Sequence, residues 1–146
     1  MLSRVFCLLG IVVMTIIICA VADSHSNAMD EEILVLDINS SSEMSDGPTQ
    51  ATILELSEKT HITKIATYHW NDGSGTPSPG TITIIDLNEK ESDGTEKTFE
   101  FSASGHDGKD GVPNVYWIIE PDLVLMPGRY EIQDSDSVTW SYNEET

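Results

Sequence analysis

Pro127-Gly-Arg-Tyr-Glu-Ile-Gln-Asp-Ser-Asp-Ser-Val-Thr-Trp-Ser-Tyr-Asn143 decides how this chain is read. Pro127-Gly128 is a turn signal, because proline presets φ and glycine adopts backbone angles closed to other residues. Tyr130 and Ile132 then point one way while Glu131 and Gln133 point the other, the period of a half-buried strand. Asp134-Ser135-Asp136 reads as a second turn, since Asp and Ser side chains bond backbone N–H groups a few residues on. Val138, Trp140 and Tyr142 alternate in what is expected to be the last strand.

The same grammar runs back along the chain. Thr98 to Ser104 alternates cleanly, with Phe99, Phe101 and Ala103 inward. Val115 to Ile119 is a strand, and Pro121-Asp122 breaks it before Leu123 to Leu125. Thr81 to Leu87 is a strand whose phase slips at Ile84-Ile85, as a bulge would make it. Between these runs lie Gly/Asp-rich loops, Asn88 to Lys97 and Gly105 to Asn114. Asn71 to Gly80 is the most turn-dense stretch of all. Ile62 to Trp70 sets Ile62, Lys64, Ala66, Tyr68 and Trp70 on one face and Thr63, Ile65, Thr67 and His69 on the other. Ala51 to Leu56 is short and flanked by turn residues, so it is assigned as a strand despite its helix-favouring composition. Ile33 to Ile38 is an apolar run of strand length. Eight or nine short strands with frequent turns and no amphipathic helix predict an all-β chain, an antiparallel β-sandwich of jelly-roll-like type.

Residues 1–22 stand apart. Arg4 supplies a positive start, Val5 to Ile18 is apolar and Ala20-Val21-Ala22 is a small-residue cleavage site, the pattern of a secretory signal peptide cut before Asp23. Lipidation at Cys19 and retention as an anchor are the rival readings. The rest divides into an acidic tail, 23–32, and a single β-sandwich domain, 33–146, large enough for its own core. Both cysteines, Cys7 and Cys19, fall in the signal. The mature domain is therefore expected to hold neither disulfide nor thiolate. Asn39-Ser40-Ser41 is a glycosylation sequon.

All 25 acidic residues follow the signal, against six basic ones, so the mature chain carries a net charge of −19. Binding nucleic acid or an anionic membrane requires Lys and Arg to neutralise phosphates, and this balance argues against both. Solubility outside the cell, calcium and a basic protein partner are the three uses of such acidity.

Calcium takes six to eight oxygen ligands. Asp134 and Asp136 fit the first two acidic positions of an EF-hand loop, but Val138 and Thr139 break its pattern. A non-standard calcium site shared between loops, built from Asp134, Asp136 and Asp72, stands against plain turn chemistry, in which Asp136 and Thr139 brace the reversal before Trp140. Trp70, Trp117 and Trp140, with Tyr68, Tyr116 and Tyr142, offer aromatic faces for a sugar, or pack as core. His69, Trp70, Asn71 and Trp140 are the candidate ligand-binding set. No nucleophile elbow surrounds Ser135, and no two histidines show metal-site spacing, so catalysis is not expected.

Taken together, Thr52-x-Leu54-x-Leu56, Ile62-x-x-Ile65-x-Thr67-Tyr-His-Trp-Asn71, Val115-Tyr-Trp117, Pro127-Gly-x-Tyr130 and Asp134-Ser-Asp136-x-x-Thr139-Trp-Ser-x-Asn143 resemble a domain recurrent in exported bacterial and archaeal proteins. The resemblance covers about Thr52 to Asn143, and Ser137 departs from it where that pattern has proline. It implies a jelly-roll-like β-sandwich accessory domain and no established activity. The expectation is a non-catalytic secreted binding module for a glycan or an extracellular protein; the alternative is a purely structural envelope or matrix domain.

Overall fold

The computed structural model describes residues 45–48 and 50–142 in full, together with the backbone of Ile16–Ala22 and Ile33–Leu34. The acidic tail, the Asn39 sequon, most of the Ile33 to Ile38 run and residues 1–15 of the signal lie outside the described residues.

In chain order the strands are β1 (Ile16–Ala22), β2 (Ile33–Leu34), β3 (Ser45–Asp46), β4 (Thr52–Leu56), β5 (Thr60–Tyr68) and β6 (Thr81–Lys90). They continue with β7 (Glu96–Ser102), β8 (Ser104–His106), β9 (Tyr116–Ile119), β10 (Leu123–Leu125), β11 (Gly128–Asp134) and β12 (Ser141–Tyr142). One 3₁₀ turn, Asn71–Gly73, follows β5. Among the described residues no helix is long and apolar enough to cross a membrane.

The chain is all-β, as its alternation predicts, and among the described residues every pairing is antiparallel. One sheet runs β2-β1-β5-β9-β8, a second runs β4-β11-β6-β7, and β12 pairs with β3 in a two-stranded ribbon. Strand β5 organises the first sheet. β1 lies along one edge from Thr60 to Thr67, while β10 at Thr60 to Ile62 and β9 at Ile65 to Tyr68 share the other. The interruption at Pro121-Asp122 lets one stretch of chain cover both halves of that edge.

Burial shows why the two larger sheets belong together. Ile62, Ile65, Trp117, Ile119 and Leu125 from the first pack in one cluster with Leu54, Ile82, Ile84, Tyr130 and Ile132 from the second, with Trp140 beside them. A sheet buries only one face of an alternating strand, so two such faces closing on each other are the stable solution. Each buried isoleucine removed from water contributes roughly 1.5–3 kcal/mol.

Three local expectations change. Ile62 and Ile65 both face inward because β5 carries an irregularity: Cys19 pairs with Lys64 but Ala20 with Ile62, leaving Thr63 as an extra residue. Strict alternation from Ile62 to Trp70 therefore fails at Thr63, and Thr67 and His69, not Tyr68, take the buried face. Conversely, β6 keeps regular register with β11 through Ile84 and Ile85, so no bulge sits there. Its shift comes after Asp86, whose inward carboxylate accepts the N–H groups of Asn88 and Glu89. Finally, Val138 is 76% exposed in a turn, and only Ser141–Tyr142 of the expected last strand pairs. The Asp134 to Thr139 turn is longer than alternation suggests, because its polar groups are satisfied without a ladder.

Candidate functional site

The chain leaves β5 at Tyr68 and places His69 in the interior, 0% exposed. Its backbone N–H reaches Val115 O at 2.7 Å, and its ring stacks on Trp117 with centroids 4.0 Å apart. Nε2 lies 3.0 Å from Thr67 Oγ1 and 3.2 Å from Asp134 Oδ2, and Nδ1 lies 2.9 Å from Thr139 Oγ1. The Thr67 hydroxyl itself donates to Asp134 Oδ2 at 2.9 Å. With that proton committed, Nε2 faces two acceptors and is a donor of the ring, a role assigned from the network. Asp134 Oδ1 accepts the Asp136 N–H at 2.8 Å, so both oxygens of this wholly buried carboxylate are engaged.

Hydroxyl, imidazole and carboxylate in sequence also describe a nucleophilic triad. Here Trp117 closes one face of the ring, and the ring has no exposed surface. The arrangement fastens β5 to β11 and to the turn before Trp140. Asp136 takes part through its backbone, its carbonyl accepting the Thr139 N–H at 3.2 Å.

The other sequence candidates separate. Trp140 is 3% exposed within the core, and its Nε1 finds no acceptor among the described residues. Next to it the buried Ser141 hydroxyl accepts the Trp70 N–H at 2.7 Å and donates to Asp46 Oδ1 at 2.5 Å, tying β12, β3 and the end of β5 together. Trp70 and Asn71 are half-buried, and the Trp70 indole lies over Gly73. Asn71 and Asp72 both adopt left-handed backbone, φ 47° and 51°, and the Asn71 side chain closes the loop by donating to Gly75 O at 2.9 Å. Asp72 is exposed on this loop. Among the described residues no three His, Cys, Asp or Glu side chains come together in a way that would hold a metal ion, so Asp134, Asp136 and Asp72 do not form a ligand set.

What the structure does bring to the surface is the outward face of β5, β9 and β8. Tyr68 and Tyr116, opposite each other in the ladder, meet with ring centroids 5.1 Å apart at a 51° tilt and stay half-buried. Burial first, then the neighbouring Tyr116 and Asp46, push the Tyr68 phenol above its ordinary pKa, so it remains a neutral donor at neutral pH. On the same sheet an open cleft of about 410 Å³ is lined by Lys64, Ser102, Ser104, His106, Ile118 and Glu120. The tyrosines are among the aromatic candidates of the sequence; Lys64, Ser104 and His106 are not. The loop expected from Gly105 onward begins instead as strand β8, and Ser104-Gly105-His106 continues the two-residue period of β7, the signal that finds them.

A smaller cleft, about 120 Å³, lies at the opposite sheet near Asp86, Lys97 and Tyr130. Compared with known proteins, the chain matches no family model, no curated protein and no solved structure.

Proposed function

We propose that the chain is an exported, non-catalytic β-sandwich module that binds an extracellular glycan through the outward face of β5, β9 and β8. The observation that carries this reading is the tilted, half-exposed Tyr68–Tyr116 pair on the same sheet face as an open cleft lined by Lys64, Ser104, His106 and Glu120. Sugars offer apolar C–H faces and a rim of hydroxyls, so aromatic rings beside charged and hydroxyl side chains suit both. The burial of His69 and Trp140 moves recognition away from them, and Trp70 with Asn71 borders the surface rather than forming its centre. The signal-like first 22 residues and the net charge of −19 beyond them support an extracellular or cell-envelope setting.

Screening the exported protein against polysaccharide and oligosaccharide panels tests this. Tyr116→Ala and His106→Ala are expected to weaken the binding found by about tenfold or more, roughly 1.4 kcal/mol, with thermal unfolding little changed. A protein ligand that competes at the same face would shift the ligand class and keep the site. A blank panel in which both variants behave like the parent favours the alternative, a structural envelope or matrix domain without its own ligand.

A further inference from the structure

The strand that covers one edge of β5 is the end of the signal-like segment. Ile16–Ala22 pairs with β5 from Thr60 to Thr67, and β2, at Ile33–Leu34, pairs with the far side of β1. Cleavage before Asp23 would therefore take a strand out of the sheet between β5 and β2. The bared edge would run along a nine-residue strand whose Ile62, Ile65 and Ala66 are buried. Unpaired edges of that length invite pairing with other chains.

We infer that Ile33-Leu-Val-Leu-Asp-Ile38 of the same chain replaces β1 after processing, as a strand parallel to β5; this rests on the proposed export of the chain. Direction and level both favour it. β1 is antiparallel to β5 and β2 is antiparallel to β1, so Ile33–Leu34 already runs in the sense of β5. Ile33 shares Ala20 as a partner with Ile62, and Leu34 shares Cys19 with Lys64, which puts the two strands level, two strand spacings or about 9.6 Å apart. A shift of one spacing, about 4.8 Å, brings them into contact. Continued at one residue per residue, Asp37 falls opposite Thr67. Chain closure is also satisfied. Asp46 is fixed beside the C-terminal end of β5 through Ser141 and the Trp70 N–H, and residues 39–45 have only to cross from that end of the new strand. An antiparallel replacement would end near Thr60 and force the same seven residues back along the whole strand. The apolar run, with four of its six residues Ile or Leu, fits a position flanked by a buried strand.

The test uses the protein exported and processed by its own host, read by intact mass, hydrogen exchange and NMR. The expected result is a monomer beginning at Asp23, in which the β5 amides that faced β1 exchange at least about 100-fold more slowly than unstructured peptide. Leu34→Lys with Leu36→Lys should lose tenfold or more of that protection while β6 and β11 keep theirs. Because the mature chain has no cysteine, a nitroxide on Asp37→Cys gives a second readout that does not depend on that variant folding. It should broaden the Thr67 and Tyr68 amides and spare Thr60. Free exchange along the edge would mean that the Thr63 irregularity and Lys64 guard it unaided, and overturns the replacement. So does a dimer whose protection depends on concentration, which would make a second copy the occupant, and so does broadening at Thr60 instead of Thr67. A mass that still includes Ile16–Ala22 overturns the processing itself and the replacement with it. A mass starting at Asp23 with an unprotected edge overturns the replacement alone.

Discussion

Asp134 and Asp136 look alike in the sequence and do different work. The carboxylate of Asp134 accepts from the Asp136 N–H and Thr67, and lies within reach of His69 Nε2, with no solvent access. Asp136 acts through its N–H and its carbonyl, which any residue but proline supplies. Removing the buried acceptor strands donors that water cannot reach, whereas removing the second carboxylate strands none of these. Asp134→Ala is therefore expected to cost about 3 kcal/mol or more, and Asp136→Ala less than about 1 kcal/mol. Urea titrations of both variants decide this; equal losses would return the turn to a brace built on the Asp136 side chain. Replacing Thr139 by Val, which deletes only the hydroxyl bonded to His69 Nδ1, should fall between the two.

At the level of elements, two of the loops are fastened to each other and to the core. The 71–75 turn packs back against the 107–114 loop: Thr76 donates its N–H to Pro113 O at 3.0 Å, and the Asn114 amide donates to Thr76 O at 3.0 Å. The Trp117 indole donates to Thr76 Oγ1 at 2.9 Å, which carries the anchor into the core. Gly75 is where the two loops touch. It has φ +60°, and a Cβ there would lie 2.0 Å from Pro113 O, a backbone atom that cannot swing aside. Gly94 in the β6–β7 turn has φ +86° and open space around it. Both substitutions to Ala meet the left-handed penalty of about 1–2 kcal/mol, but only Gly75→Ala adds the collision. Its denaturation midpoint should drop by at least twice as much as that of Gly94→Ala, with an unchanged slope. Equal drops would mean that the 107–114 loop yields freely. Such loop-to-loop contacts have no sequence signature, which is why Asn71 to Gly80 is legible as turn-rich but not as a packed element. The strands are legible because Phe99, Phe101, Tyr130 and Ile132 obey a two-residue period that burial requires. The period misleads where one residue is inserted, at Thr63, and where a run like Val138-Thr-Trp140 imitates it inside a turn. The surface pair Tyr68–Tyr116 needs the ladder register, because only pairing across 48 positions of sequence puts the rings together.

Over the whole molecule, charge sets the remaining balance. The chain carries 25 acidic side chains and seven Lys or Arg, so most carboxylates have no cation to meet. Pairs among the described residues such as Arg129 with Glu55 at 3.0 Å, and Lys90 with Glu96 and Lys97 with Glu89 at 3.9 Å, sit at the surface and contribute little each. Unpaired like charges on a compact body repel one another and favour expansion. Salt weakens that repulsion: the screening length falls from about 10 Å at 0.1 M to about 3 Å at 1 M. Melting temperature is thus expected to rise steadily with sodium chloride. Calcium discriminates screening from a site. A bound ion stabilises as the logarithm of its concentration over its dissociation constant, so a site filled at about 1 mM would act where ionic strength has barely changed. With Asp134 fully engaged and no three potential ligands gathered among the described residues, calcium chloride and sodium chloride at equal ionic strength should give the same melting temperature within experimental scatter. A calcium-specific rise at millimolar concentration, abolished by a chelator and by Asp72→Asn, would restore a loop metal site and make the acidity a ligand supply rather than a solubility device.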